Sequence, residues 1–94
     1  MFPAASDRLN PLRAMNVTVL LFASYADALG TAEIELMLPV GSTVADAVRQ
    51  VGARPGAERV PPRPLIAVNE RYATLDRELV PGDELALIPP VAGG

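Results

Sequence analysis

Alternate apolar positions early in the chain predict a β-strand over residues 16–24. One parity of this segment is wholly apolar, which is typical of a strand with one buried face; its members are Val17, Val19, Leu21 and Ala23. The other parity is polar at both ends and apolar in the middle, at Leu20 and Phe22. This second set predicts a small apolar patch on the face that the core does not use.

A second alternating segment covers residues 31–38, after a short helical stretch. Residues 25–29 have room for one or two helical turns, and Gly30 is placed to end them in the left-handed conformation. The apolar parity of residues 31–38 consists of Ala32, Ile34, Leu36 and Leu38. Because the two strands are close in sequence, an antiparallel hairpin is their simplest arrangement.

The apolar period becomes helical in residues 42–52. Thr43 is a suitable N-cap residue, and Asp46 stands three positions later, near the positive end of the helix dipole. Apolar residues recur at helical spacing and form one stripe, made of Val44, Ala47, Val48 and Val51. We expect Gly52 to end this helix in the left-handed conformation.

The remaining sequence predicts loops and short strands. The expected elements, in order, are a loop at 53–64, a strand at 64–69, a turn or irregular link at 70–72, a short strand or turn at 74–79, a turn at 81–83 and a last strand at 84–88. Pro89 and Pro90 end the last strand because proline has no N–H to donate to a sheet. The order predicts an α+β fold, with a mixed sheet of four or five strands and one main helix on one face.

The two ends of the sequence lack these periods. Residues 1–14 contain prolines and no alternation, and we interpret them as a flexible tail; an ordered arm packed on the domain is the alternative. Residues 15–90 then form one folded domain, and residues 91–94 form a flexible diglycine tail. A single small core is feasible for a chain of this size.

The composition restricts the chemistry that the chain can perform. The sequence has no His, Cys or Lys, so the usual general base and the usual covalent nucleophiles are missing. A metal site would need oxygen ligands throughout, and we predict none. The net charge of −3 argues against nucleic-acid binding. No apolar run reaches the length of a membrane span, so we expect no membrane partner and a cytoplasmic location.

The last residues of the sequence are the best candidates for function. Gly93 and Gly94 have no side chains, so their backbone can approach a partner's site closely or thread a narrow channel. The reactive group that they present is the α-carboxylate of Gly94. Once activated, for instance by adenylation, this carboxylate can accept a sulfur nucleophile. A frayed terminus without function is the plain alternative.

Several segments together resemble the sulfur-carrier subunits of molybdopterin synthase, which have the ubiquitin-like β-grasp fold. The matching pieces are VLLFA at 19–23, LPVGSTVADAV at 38–48, AVN at 67–69, PGDELALIPP at 81–90 and VAGG at 91–94. The resemblance implies a chain that is not an enzyme on its own. It implies that an E1-like enzyme adenylates Gly94 with ATP, and that a sulfur donor such as a sulfurtransferase converts it to a thiocarboxylate.

The same resemblance implies where partners bind. Sulfur would pass to cyclic pyranopterin monophosphate inside the large synthase subunit, with Val91, Ala92 and Gly93 threading into its site. No permanently bound cofactor is expected. From strand parity we predict that Phe22 and Ile88 form an exposed apolar patch beside the last strand, which together with Pro89 and Pro90 contacts the partner. A related carrier for thiamine or cysteine synthesis, a protein modifier, and a small enzyme or unrelated binding domain remain as alternatives.

Overall fold

The computed structural model describes residues 13–90, so residues 1–12 and 91–94 lie outside the described part. The predictions of a flexible N-terminal segment and of a diglycine tail therefore fall mainly on residues outside it. The elements, in chain order, are strand β1 (Ala14–Leu21), helix α1 (Ala23–Leu29), β2 (Glu33–Pro39), helix α2 (Val44–Gly52), a 3₁₀ turn (Ala57–Arg59), β3 (Leu65–Val68), β4 (Arg71–Tyr72) and β5 (Glu84–Ile88).

The strands form one mixed sheet in the order β2-β1-β5-β3-β4. The predicted hairpin of β1 and β2 is confirmed as antiparallel, whereas β1 and β5 run parallel and β5 pairs antiparallel with β3. The first and last strands of the described chain thus lie side by side within the sheet. This arrangement confirms the predicted α+β class and the mixed sheet.

The core lies between one face of the sheet and helix α2. Three of the four residues predicted to face inward from the first strand are each at most 2% exposed: Val17, Val19 and Leu21. Ala23, the fourth, is exposed because it belongs to α1 rather than to β1. In β5 the parity that directs Ile88 outward directs Leu85 and Leu87 inward, and both are buried. The helix contributes the predicted stripe, whose most enclosed members, Val44 and Val51, are fully buried. Burying such a side chain contributes roughly 1.5–3 kcal/mol, so these rows hold the helix on the sheet.

Helix α2 begins as the sequence predicts but ends differently. The Asp46 carboxylate accepts hydrogen bonds from the Thr43 N–H at 2.9 Å and the Thr43 hydroxyl at 3.2 Å, which is capping-box chemistry. The prediction for Gly52 is wrong: it is the last helical residue, and Ala53 caps the helix in a right-handed conformation. The left-handed glycine comes later, at Gly56, where a Cβ atom would clash with the Ala28 carbonyl oxygen.

Three predicted boundaries need correction. Strand β1 begins at Ala14, inside the segment interpreted as a tail, and the Arg13 carbonyl accepts a hydrogen bond from Val40 N–H at 2.9 Å. It ends at Leu21 rather than Ser24, because Ala23 has φ +49° and turns the chain into α1. Residues 71–72, predicted as part of a turn or irregular link, form the short strand β4.

A buried carboxylate organises the end of the sheet where β5 begins. Asp83 is 4% exposed and accepts hydrogen bonds from Asn69 Nδ2 at 2.9 Å and from Val80 N–H at 2.8 Å. The Asn69 side-chain oxygen accepts the N–H of Glu84 at 3.0 Å. Asn69 and Glu70 both have positive φ in the two-residue turn between β3 and β4, as type I′ hairpins require. We call these bonds the Asn69–Asp83 lock.

No helix among residues 13–90 has the length and apolar character needed to cross a bilayer.

Candidate functional site

The candidate site lies where β5 leads into the last residues of the sequence. Strand β5 sits in the middle of the sheet and ends at Ile88, followed by the half-buried Pro89 and the exposed Pro90. Strand β1 runs parallel to β5, and β3 runs antiparallel to it. The last residue of β1 and the first residue of β3 therefore lie beside the end of β5. Residues from three strands therefore surround the point from which residues 91–94 continue.

Three apolar side chains lie together by register on the sheet face that α2 does not cover. Phe22 follows Leu21, which pairs with Leu87, and Ile88 pairs directly with Leu65. Phe22 is 47% exposed, Leu65 is 51% exposed and Ile88 is half-buried. We call Phe22, Leu65 and Ile88 the tail-root patch. Parity predicted Phe22 and Ile88 for this face, but Leu65 was missed.

Helix α1 holds Phe22 in place although Phe22 lies beyond the strand. Its φ of −122° and ψ of 151° continue the extended geometry of β1, so its side chain keeps the outward parity of Leu20. Its carbonyl accepts the N–H of Tyr25 at 3.0 Å and starts the helix. Tyr25 is buried, and this burial raises the pKa of its phenol above the ordinary value, so it stays a neutral part of the core at neutral pH.

The same sheet face is polar at its other end. Thr18 and Glu84 are paired across β1 and β5, and the Thr18 hydroxyl donates to the Glu35 carboxylate at 2.8 Å. Glu33 stands on β2 beside Leu20, closer to the patch than Glu35. Carboxylates therefore flank the tail-root patch along β2 and at the start of β5, and they would orient a partner whose surface has apolar and basic parts.

The tail-root patch is suited to binding rather than to chemistry. Phe22, Leu65, Ile88 and the two prolines after β5 carry no nucleophile and no titratable group. A contiguous exposed apolar patch commonly marks an interaction site. The predicted site positions Val91, Ala92, Gly93 and Gly94 lie outside the described residues.

Comparison with known proteins places the chain in a family. The ThiS family model matches residues 19–94. The molybdopterin synthase sulfur carrier subunit of Arabidopsis thaliana is 34% identical over 82 residues, which span 86% of this chain and 85% of that protein. The Homo sapiens protein of the same name is 33% identical over 82 residues, or 83% of this chain and 93% of that protein.

Solved structures agree with the sequence relatives. The small archaeal modifier protein 1 of Haloferax volcanii superposes with a TM-score of 0.73 at 29% identity, covering 82% of this chain and 99% of that one. Its match supports the ubiquitin-like β-grasp fold that the strand order indicates. The chain belongs to the ThiS family, and the two sequence relatives named above are molybdopterin synthase sulfur carrier subunits.

Proposed function

We propose that this chain is the sulfur carrier subunit of a molybdopterin synthase, with Gly94 as the residue that carries the sulfur. The observation that supports this most is the position of the tail-root patch, at the point where β5 leads into residues 91–94. A partner that docks on Phe22, Leu65 and Ile88 would receive Val91, Ala92, Gly93 and Gly94 directly. The family match runs through Gly94, and the relatives are themselves named as subunits.

In the proposed reaction, an E1-like enzyme uses ATP to convert the α-carboxylate of Gly94 to an acyl adenylate, releasing pyrophosphate. A persulfide sulfur of a sulfurtransferase attacks the acyl carbon, AMP leaves, and a thiol reductant cleaves the S–S bond of the resulting acyl disulfide. The resulting thiocarboxylate gives its sulfur to cyclic pyranopterin monophosphate in the large synthase subunit, and water restores the carboxylate. The chain is the donor and leaves catalysis to its partners, because it has no His, Cys or Lys to act as base or nucleophile.

A second candidate is a related carrier for thiamine or cysteine synthesis, or a protein modifier. The likeness to a small archaeal modifier protein favours the modifier form of this alternative. All of these functions use the same terminal carboxylate of Gly94. They differ in the partner protein, so only the identity of the partner can distinguish them.

Reconstitution tests the proposal. The full chain is incubated with an activating enzyme, ATP, a sulfide source, a molybdopterin synthase large subunit and cyclic pyranopterin monophosphate, and molybdopterin is measured by mass spectrometry. We expect product with the full chain and none with a variant that lacks Gly94 but has the same melting temperature. Sulfur incorporation into a thiazole synthase product instead, or conjugates to other proteins, would support the second candidate.

A further inference from the structure

Strand β2 forms an edge of the sheet, and its register with β1 decides which backbone groups face outward. Leu21 N–H donates to the Ala32 carbonyl at 2.9 Å, and Val40 N–H donates to the Arg13 carbonyl at 2.9 Å. In an antiparallel pair every second residue bonds to the same neighbour. The even-numbered residues of β2 therefore bond to β1. The residues that direct their N–H and C=O groups away from the sheet are Glu33, Glu35 and Met37.

The outward backbone groups of β2 are unavailable for pairing at both ends of the strand and available in the middle. The Thr31 hydroxyl donates to the Glu33 carbonyl at 3.0 Å and accepts the Glu33 N–H at 3.3 Å, so Glu33 is already paired. Pro39 has no N–H to offer. Among residues 13–90, the outward backbone groups of Glu35 and Met37 have no hydrogen-bond partner, and both residues are exposed. The open part has the length of a three- to five-residue strand.

The side chains that flank the open part differ on its two sides. On the outer face stand the carboxylates of Glu33 and Glu35, which are exposed. On the helix face a groove runs between β2 and α2, and Leu38, Ser42 and Gln50 are among the residues that line it. A strand added at this edge would place alternate side chains beside the carboxylates and over the groove.

We propose that the free edge of β2 binds an extended basic segment of a partner protein by strand addition. Such a strand gains main-chain hydrogen bonds from Glu35 and Met37, while its alternate side chains give specificity. In antiparallel pairing, a basic residue stands opposite Glu35 and an apolar residue stands opposite Met37. The small apolar residue between them stands opposite Leu36 and points to the helix face, next to the groove. Charge complementarity selects the basic residue, since two carboxylates line the outer side of the edge.

This edge is separate from the tail-root patch. Strand β1 lies between β2 and β5, so the edge is about two strand spacings, roughly 10 Å, from the strand that leads to residues 91–94. The outward backbone groups of Glu35 and Met37 and the apolar side chains of the patch are therefore different sets of residues. The inference goes beyond the proposed function and does not depend on it.

The test is a titration of the full ¹⁵N-labelled chain with the capped peptide acetyl-Thr-Val-Leu-Val-Arg-Thr-Arg-amide, followed by NMR. We expect saturable shifts that centre on the amides of Glu35 and Met37, with slower hydrogen exchange at both. Met37→Pro removes an N–H that β1 does not use, and edge strands tolerate proline. This variant should keep its fold and bind about tenfold more weakly or worse. Met37→Ala, the matched control, keeps the N–H and should bind within about threefold.

A charge exchange gives a second test if Met37→Pro does not fold. The peptide with both Arg residues replaced by Glu should bind about tenfold more weakly, and Glu35→Lys should restore its binding. The Phe22→Ala, Ile88→Asp variant should bind the basic peptide as the original chain does, even if the proposed partner of the tail-root patch is wrong. Shifts confined to the patch, no saturable shift, or a chain that is already dimeric through β2 would each overturn the proposal.

Discussion

The two ends of strand β5 are built from opposite chemistry. Where β5 begins, the Asn69–Asp83 lock buries a carboxylate and supplies it with two donors at 2.8 and 2.9 Å. Where β5 ends, Phe22 and Leu65 stay about half exposed and the strand runs into two prolines. The first end satisfies its polar groups within the fold. The second leaves apolar surface uncovered, as a surface reserved for a partner does.

This contrast predicts that stability and partner binding depend on opposite ends of one strand. The lock ties the turn after β3 to the start of β5, and β1 adds a hydrogen bond from Thr18 N–H to the Asp83 carbonyl at 3.0 Å. The strand is thereby fixed in register at one end. Side chains at the other end of β5 are then not needed to hold the sheet in register, and they are available for binding. Substitutions at the two ends should consequently have different effects.

Breaking the lock should have the largest effect on stability. Asp83→Ala leaves the Asn69 amide and the Val80 N–H without their buried acceptor, at a cost of about 3 kcal/mol. For a domain of this size the melting temperature should fall by more than about 10 °C. Glu84→Ala is the matched control, because its exposed side chain lies outside the lock and its backbone bonds remain. A loss of stability equal in the two variants, measured by thermal unfolding, would contradict the role of the lock.

Disrupting the tail-root patch should affect binding instead. Phe22→Ala with Ile88→Asp should leave the chain folded and weaken binding to the large synthase subunit at least about tenfold, or about 1.4 kcal/mol. Thr18→Ala, on the same face but beside the start of β5, should change the affinity less than about threefold. Calorimetric titration measures both. Unfolding of the double variant would mean that the patch belongs to the core, and unchanged affinity would place the interface elsewhere.

The start of α2 should contribute less, and its contribution should depend on pH. The Thr43 N–H, and after it the Arg49 guanidinium at 2.8 Å, hold the pKa of Asp46 below its ordinary value of 3.8. Since the folded-state pKa lies below the unfolded one, the ionised carboxylate stabilises the chain above about pH 4. That stabilisation disappears as the pH falls through the folded-state pKa.

Asp46→Asn should therefore cost about 1 kcal/mol at neutral pH. Its melting temperature should approach that of the original chain as the pH is lowered from 7 to about 2.5. Gln50→Asn on the same helix has no capping role and serves as a control at every pH. A difference between Asp46→Asn and the original chain that stays constant with pH would show that the carboxylate does not act through its charge.

The sequence predicted what depends on local periodicity. The inward parity of β1 and β5, the stripe of α2 and its cap at Thr43 follow from spacing within one segment. Apart from Ala23, which is exposed, they were correct, because an element that buries one face repeats its apolar residues with the period of that element. Strand β4 was missed because two exposed residues carry no period at all. The prediction for Gly52 was wrong because the helix ends without a left-handed residue: Gly52 is still helical, and Ala53 caps the helix in a right-handed conformation.

The parts of the site that escaped prediction depend on which strands are neighbours. Leu65 was missed because β3 does not alternate: Ile66, Ala67 and Val68 are all buried, so parity could not show its exposed face. The lock joins residues 14 positions apart, and only the pairing of β3 with β5 brings Asn69 to Asp83. One signal in the sequence was available: Asn69 follows an apolar strand, and asparagine adopts positive φ more readily than most residues, which indicates a tight turn there.

The intact mass of the chain tests the central claim most directly. The full chain is incubated with its activating enzyme, ATP and a sulfide source, and the products are digested to locate any change. The account predicts a mass gain equal to the difference between one sulfur and one oxygen atom, located at Gly94 and absent without ATP. An unchanged mass, or a sulfur found at any other residue, would contradict it.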